Sequence, residues 1–308
     1  MNKFKRIKTS KFKKADAILC ADLHIRADCP VCRTDNFLEA MEKKIDFIVD
    51  LSVEHVCPIL VAGDIGHKHQ WPNWLLEWTI NKFYGLDVIC IAGQHDLPNH
   101  RLDLWKKSGI GVLHASGVIF MIREAQTIDD IFTVYPFHYG EKMISPQYDK
   151  GLPKVAMTHQ MIIDNKKLWP DQDAPEGHQI LKKFPEYNLI LSGDNHSPFV
   201  VEYKGRLLVN PGSLMRSTAA QEDHKPRVYL WYAEENKVQV VYLPIEQNVI
   251  SREHIKDTKQ RDKRMDAYME RMKKDVEIQL SFEKNMESYF DKNRTQTKVK
   301  EKVWEAVK

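Results

Sequence analysis

Short apolar runs alternate with amphipathic stretches along the first third of the chain. Ala17, Ile18, Leu19, Cys20 and Ala21 read as a short buried strand. Residues 35–52 place Phe37, Met41, Ile45, Ile48 and Val49 at helical spacing, the pattern of a helix with one apolar face. Residues 58–62 and 88–92 read as further strands, with a helix over 74–83 between them. This alternation predicts an α/β fold with a partly parallel sheet. Beyond it, 117–122, 131–135, 154–157 and 189–191 are strand candidates, followed closely by 199–203, 206–209, 227–233 and 237–243. The close spacing predicts antiparallel hairpins, with turns at Lys204-Gly205 and Glu235-Asn236, and hence a second sheet packed on the first. From about Ile250 the pattern becomes long polar helices, over 252–277, 281–289 and 298–307, the second opened by a capping signal at Ser281. The expected architecture is α/β: two packed mixed β-sheets flanked by helices, spanning 1–248, and a helical region over 249–308.

Composition narrows the class. A chain of 308 residues is one large domain, or one large and one small, at roughly 100–200 residues per domain. Hydrophobic residues make up 43% and charged residues 29%, enough for a core with a solvated surface. No apolar run approaches the ~20 residues of a membrane span, and the basic N-terminus lacks the apolar stretch of a secretory signal. Five cysteines, an odd number, favour a reducing compartment over a disulfide framework. A cytoplasmic location is therefore expected. The net charge of +3 is uneven. Residues 1–14 hold seven Lys/Arg and no acid, and 251–308 hold sixteen against twelve acids. The body between them is acidic. Basic ends on an acidic body suit a polyanion partner, or are solvated tails.

The acids and histidines fall where chemistry is expected. Asp22 and His24 follow the first strand, Gly63-Asp64 the second, and Gly93-Gln94-His95-Asp96 the third. His159 follows the strand ending at Met157, and Gly193-Asp194-Asn195-His196 the strand ending at Leu191. Ligands of α/β sheets bind at the carboxyl ends of strands, so these residues can converge. Hard oxygens with imidazoles suit manganese, iron or zinc and need no thiolate. Two ions roughly 3.5–4 Å apart can stabilise the attacking and leaving oxygens of an in-line displacement.

These five ordered motifs resemble those of the calcineurin-like metallophosphoesterase superfamily, over roughly residues 15–215. The resemblance implies a metallophosphoesterase sandwich and a metal-dependent phosphoesterase. It implies one metal on Asp22, His24, Asp64 and His196, and a second on Asp64, Gln94, His159 and Asp194. His95 would be the general acid, or the donor to the transition-state oxyanion. Asp96 would orient it through the other ring nitrogen. The ions would be Mn2+ first, with Mg2+, Fe2+ or Zn2+ as alternatives. Gln94 stands where the family has Asn, and Asp194 where it has His. The harder donor predicts a preference for manganese or magnesium over zinc at the second position.

The segment Gly63-Asp64-Ile65-Gly66-His67 resembles the corresponding motif of double-strand-break repair nucleases, and the whole chain is similar to SbcD-type exonuclease subunits. That likeness implies DNA as substrate, an SbcC-like coiled-coil ATPase as partner, and a possible homodimer. His67 would help to place a phosphodiester. In Asn210-Pro211-Gly212-Ser213, backbone N–H groups would face the site, and Arg216 would pair with a phosphate. Phe282, Met286, Phe290, Val303 and Trp304 would form an apolar face for the ATPase, or pack as ordinary core. Two further readings remain: a small-molecule or cyclic-nucleotide phosphodiesterase, and a weakly active scaffold for an ATPase. Cys29 and Cys32 read as a structural loop just past the first motif, rather than as half a zinc site or a redox pair. His100, Arg101 and His138 are groove or loop residues, and Trp71 is core or a stacking platform.

Overall fold

The computed structural model describes residues 13–147, 151–165 and 172–307, with the backbone alone for 274–280. The basic stretch 1–12 lies outside the described residues. The chain divides into two units, Met1–Ser251 and Arg252–Lys308.

In the first unit the strands are, in chain order, β1 (Ala17–Cys20), β2 (Ile59–Ala62), β3 (Val88–Ile91), β4 (Phe120–Met121), β5 (Gln126–Ile128), β6 (Phe132–Phe137), β7 (Lys154–Thr158), β8 (Leu189–Ser192), β9 (Phe199–Tyr203), β10 (Arg206–Asn210), β11 (Arg227–Tyr232) and β12 (Lys237–Tyr242). The helices are α1 (Phe37–His55), α2 (Asn73–Phe83), α3 (Gly109–Ala115) and α4 (Gly177–Lys183). Two six-stranded mixed sheets result, ordered β12-β11-β1-β2-β3-β4 and β5-β6-β7-β8-β10-β9.

The strands are continuously apolar because both of their faces are buried. Ala17, Leu19, Leu60, Ala62, Ile89 and Ile91 meet Phe132, Val134, Val155, Met157, Leu189, Leu191, Leu207 and Val209 between the sheets. The alternate positions Ile18, Cys20, Ile59, Val61, Val88 and Cys90 pack instead with Phe37, Met41, Ile45 and Ile48 of α1. The Asn36 side chain accepts from the Glu39 N–H at the start of α1, and Val56 closes it in the left-handed region. On the far side of the second sheet, Tyr135, Phe137, Ala156, Ile190 and Leu208 pack with Ile180 and Leu181 of α4.

Two sheet assignments differ from the sequence pattern. The hairpin over 227–243 joins the first sheet, through β11 antiparallel to β1 with Ala17 opposite Trp231. The second sheet is parallel at β6–β7, β7–β8 and β8–β10, with hairpins only at β5–β6 and β9–β10. The connections from β6 to β7 and from β7 to β8 are long enough for crossovers, which parallel pairs require. Three short elements escape the pattern. β5 is three residues long, while α3 and α4 are seven-residue helices that begin at Gly109 and Gly177.

The end of the first unit is fastened to the loop after β1. Thr34 N–H donates to Val249 O at 3.1 Å, and Ser251 N–H to Cys32 O at 2.7 Å. The Arg33 guanidinium holds both Asp35 oxygens and Arg216 O. All five cysteines are free thiols, Cys29 exposed and Cys32 buried. Among the described residues, no helix is long and apolar enough to cross a membrane.

The second unit is three helices, α5 (Glu253–Leu280), α6 (Phe282–Lys292) and α7 (Thr297–Val307). Ser281 Oγ caps α6 by accepting from Lys284 N–H. Phe290 is buried and meets Trp304 edge-on at 6.2 Å. Met265, Tyr268, Met269 and Met272, one stripe of α5, are exposed, as is Phe282.

Phe132 is fully buried and packs edge-on against Trp231 at 5.1 Å, joining the two sheets. Phe132→Ala is expected to lower unfolding free energy by about 3–5 kcal/mol, read by denaturant titration.

Candidate metal centre

β1, β2 and β3 run parallel in the first sheet, β7 and β8 run parallel in the second, and each carries polar residues just past its carboxyl end. Asp22 and His24 follow β1, Asp64 follows β2, and Gln94, His95 and Asp96 form a single 3-10 turn after β3. His159 follows β7, while Asp194 and His196 follow β8. Both sheets therefore contribute to one place.

The ligand atoms converge in two overlapping groups. Asp22, His24 and His196 offer one atom each within 4.8 Å of one another, and so do Asp22, Asp64 and His159. His24 Nε2 lies 3.0 Å from His196 Nε2, and Asp22 Oδ1 3.8 Å from His196 Nε2. Asp64 Oδ2 stands between the groups, 3.8 Å from His24 Nε2 and 3.4 Å from His159 Nε2. A carboxylate placed there could serve both groups.

The fit to divalent cations is tested by which polar atoms lack partners. Asp22 Oδ2, Asp64 Oδ2, Gln94 Oε1 and His159 Nε2 are buried without a hydrogen bond. Buried polar groups without partners are rare in native proteins. Other such atoms, Trp71 Nε1 and Ser192 Oγ among them, lie elsewhere, but these four fall together in the expected ligand set and each can donate a lone pair. The ring of His159 is already set for this: Nδ1–H donates to Ala62 O at 2.6 Å, leaving Nε2 as the free nitrogen.

Electrostatics agree. Burial lifts the Asp22 carboxyl to about 8, with His159 opposing. Burial also pushes Asp64 up, but the neighbouring His159 and His24 outweigh it and hold Asp64 below the usual range. Burial would lower His159, yet Asp64 and Asp22 raise it to about 10. Burial keeps His24 and His196 below their ordinary value. Two carboxylates closed into so small a space require cations, and protons fill that need when metals do not.

The backbone is shaped around this cluster. Asp22, His24, Asp64 and Asp194 all adopt positive φ, at 49°, 45°, 50° and 71°, in the sparsely populated left-handed region where strain accompanies function. Gly93 allows close approach: a Cβ there would collide with the Asp64 side chain and backbone.

Gln94 and Asp194, the two departures from the family pattern, are hydrogen-bonded to each other. Gln94 Nε2 donates to Asp194 Oδ1 at 2.7 Å, which turns Gln94 Oε1 away as a free acceptor. Asp194 N–H donates to Asp22 Oδ1 at 3.2 Å.

Several expectations are corrected. Asp96 does not orient His95. Its carboxylate accepts from the N–H groups of Ile65, Gly66 and Gly93, tying the loop after β2 to the loop after β3. Burial and nearby Asp64 raise its carboxyl to about 7. His95 is oriented instead by Nδ1–H donation to His67 O at 3.0 Å, while its own N–H donates to Asp64 Oδ1. Arg216 is buried and bonds to Glu222 O and Glu246 O, so its guanidinium is committed and not free for phosphate. In the 210–213 loop, Gly212 N–H donates to Asn210 Oδ1 and Ser213 N–H to His196 O. This loop braces the His196 backbone rather than offering donors. His138 is buried, with Nδ1 accepting from Ala92 N–H, and Trp71 packs over Gly66 and Gly109 with the core. His67 lies beside the site, its ring centroid 5.7 Å from those of both His24 and His95. Its carbonyl accepts from His95 Nδ1–H, a contact that no residue type signals because the acceptor is backbone.

Comparison with known proteins follows the same lines. The family model described as calcineurin-like phosphoesterase matches residues 17–198. No curated protein matches the chain. Among solved structures, TT1561 of Thermus thermophilus is 13% identical with a TM-score of 0.46, covering 75% of this chain and 100% of its own. An archaeal phosphodiesterase is 12% identical with a TM-score of 0.40, covering 74% and 99%. The hypothetical protein PH1004 of Pyrococcus horikoshii is 16% identical with a TM-score of 0.41, covering 80% and 94%. Likeness at this level says nothing about substrate.

A pH dependence follows for the metal-free protein. Asp22 is raised to about 8 and His159 to about 10, so both bind protons more tightly folded than unfolded. Their stabilisation is full below the unfolded values and is lost as pH rises through the folded ones. Metal-free Tm should therefore fall between about pH 6 and about pH 9, and saturating Mn2+ should reverse the slope. A metal-free Tm that rises over this range contradicts the assignment.

Proposed function

The chain belongs to the calcineurin-like phosphoesterase family, and on that footing we propose that it is a phosphodiesterase acting on DNA, an SbcD-like nuclease subunit that works with a coiled-coil ATPase in the cytoplasm. Its cofactors in this reading are two divalent ions, Mn2+ foremost. The observation that carries the DNA reading is His67, three residues after Asp64, with its ring beside His24 and its carbonyl holding His95. The basic balance of 251–308 supports it, because contacts to phosphate are electrostatic and independent of sequence. The exposed Met265, Tyr268, Met269 and Met272 stripe supports a helical partner.

In this reading Asp22, His24, Asp64 and His196 hold one ion, and Asp64, Gln94, His159 and Asp194 the other. The ions supply Lewis acidity and an activated water. Asp64 joins the two sites by standing between His24 and His159. Ala62 O fixes the tautomer of His159. His95, exposed and held at Nδ1 by His67 O, keeps Nε2 free and delivers a proton to the departing 3′ oxygen.

Two variants test these roles. His95→Ala should keep Mn2+ binding while hydrolysis falls about 100-fold or more. Asp64→Ala should lose both ions and all activity, read by calorimetry and by cleavage of duplex ends. Full nuclease activity in Asp64→Ala overturns the mechanism. Substrate class is tested on the full chain with Mn2+. DNA cleavage should weaken steeply with salt, whereas bis-p-nitrophenyl phosphate hydrolysis should change little. Hydrolysis of the small diester alone, with no DNA cleavage, points to a small-molecule phosphodiesterase.

A further inference from the structure

His24, His67 and His95 come from three separate segments, yet each offers a ring nitrogen within 4.8 Å of the other two. The rings form a compact triangle. His24 meets His67 edge-on at 5.7 Å and 70°, and His95 edge-on at 5.0 Å and 83°. His67 and His95 face each other nearly parallel, at 5.7 Å and 14°. His95 cannot turn freely, because its Nδ1–H is held by His67 O, and Nε2 is the nitrogen left free for a ligand. His24 is buried, His67 half-buried and His95 exposed. The triangle is therefore closed on one side and open on the other.

Its donor chemistry differs from that of the neighbouring groups. Both groups described above contain carboxylates, Asp22 in each and Asp64 in one. The triangle contains imidazole alone. Oxygen-rich sets suit Mg2+ and Mn2+, whereas imidazole suits Zn2+. Three protein ligands with an open fourth position is a common arrangement for exchangeable zinc. The triangle also shares His24 with the Asp22/His24/His196 group, so the two cannot both hold His24 on the same nitrogen.

We propose that His24, His67 and His95 form a zinc-capturing site that competes with the hydrolytic centre. Zinc seated there withdraws His24 from the first ion and His95 from the substrate. Excess zinc then acts as an inhibitor and not as a replacement for manganese. Zinc capture rests on the triangle alone; the release of Mn2+ and the effect on hydrolysis rest on the proposed reading of the neighbouring centre.

The test uses the full chain loaded with Mn2+ and titrated with Zn2+. Zinc affinity is measured by competition with a chromophoric chelator, and released Mn2+ by electron paramagnetic resonance. The expected result is release of one Mn2+ per zinc bound. Zinc affinity should fall at least about tenfold in both His67→Ala and His95→Ala. Each variant is checked by its melting curve, and because both side chains reach solvent, neither truncation opens a core cavity. Zinc affinity unchanged in either variant overturns the proposal and places the ion on the carboxylate-bearing ligands instead. Should Mn2+-loaded wild type cleave no DNA while zinc capture follows the two histidines, the DNA reading fails and this site stands. DNA cleavage without histidine-dependent zinc capture has the reverse meaning.

Discussion

The structure turns on the burial of two carboxylates in one small space. Asp22 and Asp64 have no exposed surface, and each keeps an oxygen without a partner. Closing water away from two such groups is tolerable only where positive charge meets them. His159 supplies part of it from the second sheet, 3.4 Å from Asp64. The rest of the architecture makes this encounter possible. Parallel strands from both sheets end together, glycine lets the loops touch, and four site residues take left-handed backbone conformations, a strain of order 1–3 kcal/mol each. The apolar layer between the sheets holds these loops in register.

Asp96 has a structural part in this arrangement that its place in the motif conceals. Its carboxylate collects three backbone N–H groups from two loops, so the loop bearing Asp64 and the turn bearing His95 are tied together. The Gln94–Asp194 hydrogen bond does the same between the two sheets. The two residues that depart from the family pattern are thus departures of one kind: a longer amide arm reaches a shorter acidic partner, and the amide oxygen remains free.

Much of this was legible from residue order. The strands over 17–21, 58–62 and 88–92 announced themselves because both faces are buried, and the polar residues after each could be read as a set. Partners that lie far apart in sequence were not legible. Nothing local to Asp96 reveals that Gly66 lies against it, and nothing local to Arg216 reveals the carbonyls of Glu222 and Glu246. Hairpin spacing located β11 and β12 but carried no information on which sheet edge they extend. The pairing of β11 with β1 is decided by packing at Trp231.

The fastening of 249–251 to the loop at 32–34 has a mechanical consequence. Backbone bonds from Thr34 and Ser251 and the isolated bridge between Arg33 and Ile250 stitch the exit of the first unit to the segment that leaves Asp22 and His24. These bonds close the loop after β1 with residues from the far end of the first unit, so the segment that follows Asp22 and His24 is held at both ends.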